Sequence, residues 1–216
     1  MLNALPRTLV RGENNLYLLP LYRAYAGLAA FRERYGGPGS VEPSSAFYGL
    51  GAVDLEGFAA GVRDLVQSQL LAGVPVADVD RLGFKEVLWH RLKRPEWEGF
   101  FDFVDRAFGE PLYVLNQREV EMASTSGFWR KKKPGVALQQ ITRVRRLQAY
   151  LRESRPGRTF DTHFEAMTSS DPDVAAAQLR GLAQFVTGDC DDPLLDSMLA
   201  LREVGHGPNP FGRTRT

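Results

Sequence analysis

Arg118 stands three residues after an apolar run, Leu112-Tyr113-Val114-Leu115, and Ser126 follows it by eight positions. A guanidinium presents a planar fork of donors that matches phosphate oxygens, and a serine hydroxyl adds one more donor. Open α/β sheets bind ligands at the C-terminal ends of their strands, which is where this spacing puts the pair. A second constellation is Lys85-Glu86, closing another apolar stretch at residues 81–88. The plain alternative for such a pair is a surface ion pair at a sheet edge. The three histidines, His90, His163 and His206, have no ligand spacing between them, so no metal site is expected.

These side chains need elements to hold them. The run from Leu112 reads as a strand buried on both faces, ended by Asn116 and Gln117. Before it, residues 95–108 read as a helix opened by Pro95, with Trp97, Phe100, Phe101, Val104, Ala107 and Phe108 on one stripe and Gly109 ending it. Residues 81–88 read as a further strand. Strand, helix and strand with a short connection make a βαβ unit and imply a parallel sheet. Upstream, residues 8–10 form a short strand and residues 20–34 a helix with Leu21, Tyr25 and Leu28 facing inward. Asp54 caps a helix that buries Phe58, Val62, Leu65, Val66 and Leu70. Residues 36–51, rich in Gly, Pro and Ser, form either a plain connection or a lid over an acceptor. Residues 157–165 read as the last strand, and Asp171-Pro172 and Asp192-Pro193 start two closing helices. Residues 205–216 read as a loose tail.

At 216 residues the chain suits one α/β domain. Its 44% hydrophobic and 25% charged content places it among globular proteins. No run of 18 apolar residues predicts a membrane span, and no basic-then-apolar leader predicts secretion. Cys190 is the only cysteine, which excludes an internal disulfide and suits the cytoplasm. The net charge of +1 hides an uneven distribution. Residues 130–158 carry ten Lys/Arg against Glu153 alone, a local +9 that leaves −8 for the remainder. This stripe reads either as a solvated helix face or as a funnel for an anionic ligand.

The segment Asn116-x-Arg118, with Ser126 eight residues on and Gly127-Phe128-Trp129 behind it, resembles the 3'-phosphate site of sulfotransferases of the bacterial type, which use 3'-phosphoadenosine 5'-phosphosulfate (PAPS). Arg11-Gly12-Glu13-Asn14-Asn15, Gly83-Phe84-Lys85-Glu86, and Thr162-His163-Phe164-Glu165 followed by Asp171-Pro172 agree in order and spacing, so the resemblance spans nearly the whole chain. It implies a three-layer parallel sheet like that of P-loop NTPases, flanked by helices. The first strand and its Arg-Ser-Gly-Ser/Thr loop for the 5'-phosphosulfate are missing from this pattern, because Met1-Leu2-Asn3-Ala4-Leu5 reads as the end of a helix. It further implies that Arg118 and Ser126 hold the 3'-phosphate, and that Lys85 offsets charge near the transferred sulfuryl group. Phe164 packs on adenine where the family has tyrosine, without the hydroxyl contact, and Ala166 replaces a usual aspartate. Removing the acceptor's proton needs a carboxylate whose pKa burial has raised, either Glu13, which is favoured, or Glu86. The implied reaction moves a sulfuryl group from PAPS to a hydroxyl or amine on a small-molecule or carbohydrate acceptor, without metal. The alternative is a non-catalytic domain that binds anions or nucleic acid through residues 130–158, although nucleic acid is not the partner expected.

Overall fold

In a computed structural model of the chain, residues 2–120, 123 and 129–203 are described. The fold is α/β and mostly helical, with strands β1 (Thr8–Arg11), β2 (Arg81–Phe84), β3 (Tyr113–Gln117) and β4 (Thr159–His163). The main helices are α1 (Leu18–Tyr35), α2 (Leu55–Leu71), α3 (Trp97–Phe108), α4 (Pro134–Ser154), the single turn α5 (Phe164–Met167), α6 (Pro172–Thr187) and α7 (Asp192–Glu203).

Local signals set most of these boundaries. The Asp54 carboxylate accepts from the Gly57 N–H at the start of α2, and Asp171 accepts from the Asp173 N–H at the start of α6. Gly109 and Gly188, both in left-handed backbone, end α3 and α6. The aromatic stripe of α3 is the centre of the larger core: Phe100 and Phe101 are fully buried, and Trp89, Tyr22 and Tyr113 meet them edge-on or tilted. Each such ring contributes about 1.5–3 kcal/mol through burial.

The strands form two parallel pairs, β1 with β2 and β3 with β4. Among the described residues no pairing joins β2 to β3, so the parallel strands expected from the sequence are present as two separate two-stranded sheets. The βαβ crossovers therefore run from β1 to β2 and from β3 to β4, and α3 carries the chain from one pair to the other. The β3–β4 pair lies between two cores, and β2 packs on the first of them. Leu82, Phe84, Tyr113 and Leu115 face the core built on α1 to α4, while Val114 and Phe160 face the second, built on α6, α7 and Leu5. The strands are less buried than the sequence implies. Leu112 is 47% exposed, and within β3 only Leu115 is buried.

Two strands end earlier than expected. β2 stops at Phe84, after which the Glu86 carboxylate accepts from the Leu16 and Leu88 N–H groups, each at 2.6 Å, and turns the chain into the short helical turn Leu88–Arg91. β4 stops at His163, so Phe164 opens α5 instead of continuing the strand.

Helix α4 shows how the two pairs are oriented. At its middle, Arg143 donates to the carbonyl of His90, six residues past β2, and two residues on Arg145 donates to the carbonyl of Arg118, just past β3. Beyond its end, Arg155 meets Asp105 and Arg158 leads into β4. The C-terminal ends of β2 and β3 thus lie on the same side of the molecule. Residues 36–54 lie on the other side, where Glu56 pairs with Arg106 in the last turn of α3 and Tyr35 stacks on Phe47 at 4.3 Å. That position suits the plain connection, one of the two readings the sequence left open for them.

Candidate functional site

Past the C-terminal ends of β3 and β4 opens a cleft of about 590 Å³, lined by Gln117, Arg118, Glu119, Arg145, Arg152, His163, Glu165 and Ala166. Arg118 leaves the strand as β3 ends, and its guanidinium carbon lies 4.1 Å from the centre of the Phe164 ring. A cation over a ring face at that distance is attracted by about 0.5–1 kcal/mol when exposed and more when desolvated. The structure thus brings together two of the residues singled out from the sequence, Arg118 and Phe164. The shortened β4 is what allows it, because the turn of α5 swings the ring toward β3. Ser126 lies outside the described residues.

The state of Arg118 is unusual for a half-buried arginine. Its Nε is buried with no hydrogen-bond partner, and no carboxylate pairs with it among the described residues. Two acids line the same cleft. Glu165 accepts from the Glu119 N–H at 3.1 Å, which ties the chain after β3 to the turn after β4. Arg152, by contrast, is neutralised by a two-pronged contact to Asp161 at 2.6 and 2.7 Å. That contact holds the Asp161 carboxyl below its ordinary value of 3.8, the Arg152 hydrogen bond being the largest cause. Gln117 also donates to Asp161 and to Gln148, so β3, β4 and α4 are cross-linked beneath the cleft.

The other three residues sit past the ends of β1 and β2. Lys85 Nζ lies 3.1 Å from Glu13, and both side chains are about half exposed, at 62% and 49%. They form the bridge between strand ends that chemistry at this edge needs, and equally the plain ion pair weighed at the outset. Glu86 has a different place. Its two oxygens accept from the N–H groups of Leu16 and Leu88, so it braces the backbone of this turn. What it braces is strained: Asn15 and Leu16 have φ of 60° and 54°, left-handed values that cost about 1–3 kcal/mol each in non-glycine residues. Asn14 and Tyr17 in the same turn each carry a buried polar atom without a partner. Neither hydrogen bond nor ion pair joins Glu13 and Lys85 to Arg118 among the described residues.

The basic segment proves to be two things. Arg152, Arg155 and Arg158 are committed to Asp161, Asp102 and Asp105. Arg155 is only 4% exposed and belongs to the interior. The partners of Arg155 and Arg158 come from 50 to 53 residues upstream, so a count along the sequence could not show them. Arg130, Lys131, Lys133, Arg145 and Arg146 are exposed. Among the described residues no three His, Cys, Asp or Glu side chains gather as metal ligands, and no helix is long and apolar enough to cross a membrane. Comparison with family models, with curated proteins and with solved structures returned no match for this chain.

Proposed function

We propose that the cleft past β3 and β4 binds the phosphate of a phosphorylated adenosine, and that the chain is a PAPS-dependent sulfotransferase domain. The observation that carries this reading is the Arg118 guanidinium, half-buried, without an acid partner and laid over the Phe164 ring. A buried unsatisfied donor costs roughly 1–3 kcal/mol. An anion in the cleft would meet it, and a purine could share the aromatic face. Lys85 and Glu13, past the ends of the other strand pair, are then the groups that offset charge on the leaving oxygen and receive the acceptor's proton. Glu86 positions that turn.

In this reading the two strand pairs belong to one three-layer sheet of the P-loop type, with a further parallel strand between β2 and β3. Supporting it are the common direction of the C-terminal ends and the half-exposed apolar strands, since two-stranded units are marginal alone. The loop after that strand would sit between Lys85 and Arg118 and cradle the 5'-phosphosulfate. The chain should accordingly bind 3',5'-adenosine diphosphate.

Calorimetric titration with 3',5'-adenosine diphosphate is the test. Arg118→Ala should weaken binding by about 1.5–3 kcal/mol, the scale of a hydrogen bond to a charged group. Unchanged affinity removes Arg118 from the site. A steeply salt-dependent affinity for a short duplex, without affinity for the nucleotide, would instead favour a domain that binds nucleic acid through its basic segment.

A further inference from the structure

We infer that Arg145 is a second anion-binding residue, closing with Arg118 a clamp of two guanidinium groups on one terminal phosphate; this rests on reading the cleft as a phosphate site. Arg145 comes from α4, not from a strand end, and lines the same cleft. One of its nitrogens donates to the Arg118 carbonyl at 2.8 Å, which holds the two residues side by side. Its remaining N–H groups have no acceptor, and no carboxylate pairs with it among the described residues. Glu119 and Glu165 also line the cleft, but among the described residues neither forms an ion pair with Arg145 or Arg118, and Glu165 accepts from the Glu119 N–H. The third arginine of the cleft is neutralised by Asp161.

The helix is also fixed in place. One turn after Arg145, Gln148 donates to the Asn116 carbonyl and accepts from Gln117, and a turn later Arg152 grips Asp161. The root of Arg145 is therefore held against both strands, and two cations without an ion-pair partner among the described residues face one volume. Such a pair suits the two negative charges of a phosphomonoester better than the single charge of a diester.

The test is calorimetric titration of the full chain and its variants with 3',5'-adenosine diphosphate and, as the diester, 3',5'-cyclic AMP. The unaltered chain should prefer the diphosphate. Arg145→Ala should weaken diphosphate binding at least about tenfold while leaving cyclic AMP little changed. Arg145→Gln keeps a donor for the Arg118 carbonyl but not the charge, and should lose as much as the alanine variant. Full affinity in Arg145→Gln would show that Arg145 only braces Arg118 and would overturn the inference. Full affinity in Arg145→Ala, with Arg118→Ala impaired, would overturn it as well. Full affinity in both Arg145→Ala and Arg118→Ala would instead remove the phosphate site itself.

Discussion

The two ends of the β3–β4 pair carry arginines in opposite electrostatic situations. At the N-terminal end, Arg155 and Arg158 converge on Asp105, which accepts from both at 2.9–3.1 Å, and Asp102 takes a further bond from Arg155. Tyr113 completes the group, and burial pushes its hydroxyl well above the ordinary tyrosine value. At the C-terminal end, Arg118 has a ring beneath it and, among the described residues, no ion pair, with Glu119 and Glu165 elsewhere in the cleft wall. The first arrangement holds α3 and α4 to the sheet. The second leaves a charge unsatisfied within reach of solvent, as expected of a group kept for a ligand.

Breaking the N-terminal cluster should have the largest effect. Asp105→Asn leaves Arg155, 4% exposed, with Asp102 as its remaining carboxylate, and should cost about 3–5 kcal/mol in urea unfolding, the scale of a broken buried ion pair. A loss under 1 kcal/mol would mean the two edges do not differ as described. Glu86→Ala should cost about 1–3 kcal/mol, because it takes the carboxylate from two backbone N–H groups. Hydrogen exchange should show the Leu16 and Leu88 amides losing protection first. Unchanged protection there would remove the bracing role.

Asp161 sharpens the contrast within the cleft itself. Asp161→Asn releases Arg152 and should raise affinity for 3',5'-adenosine diphosphate several-fold at low salt, by titration. The same carboxylate makes a pH signature. Its folded pKa lies below the ordinary 3.8, so its stabilisation is present above that value and lost as pH falls through the folded pKa. The acid limb of an unfolding titration below about pH 4 should therefore be shallower in Asp161→Asn. The smallest stability effect belongs to Lys85→Ala. Its exposed pair with Glu13 should contribute no more than about 1 kcal/mol. A larger loss would make that pair structural and not catalytic.

The helices were legible because their signals are local. Asp54, Asp171-Pro172 and the stripe of α3 state their structure within a few residues. The strands were found but not their pairing, since nothing in an apolar run of four or five residues names its neighbour. The turn of Phe164 toward Arg118 depends on β4 ending at His163, which the apolar pattern of residues 157–165 did not mark. Arg145 was counted in the basic stripe, but its direction depends on the phase of α4 over the strands. Asp105 was missed for a related reason: it lies on the helix that carries the core stripe, and its partners arrive some 50 residues later.

The central claim is that Arg118 is held for a ligand and not for the fold. Urea unfolding of the unaltered chain and of Arg118→Ala, each with and without 3',5'-adenosine diphosphate, tests both halves at once. Without nucleotide, the two curves should agree to within about 1 kcal/mol, the scale of the ring contact alone. At nucleotide near a hundred times its Kd, the unaltered chain should gain about 2.7 kcal/mol and the variant much less. An equal gain in both, or an Arg118→Ala protein that is strongly destabilised before any nucleotide is added, would contradict the account.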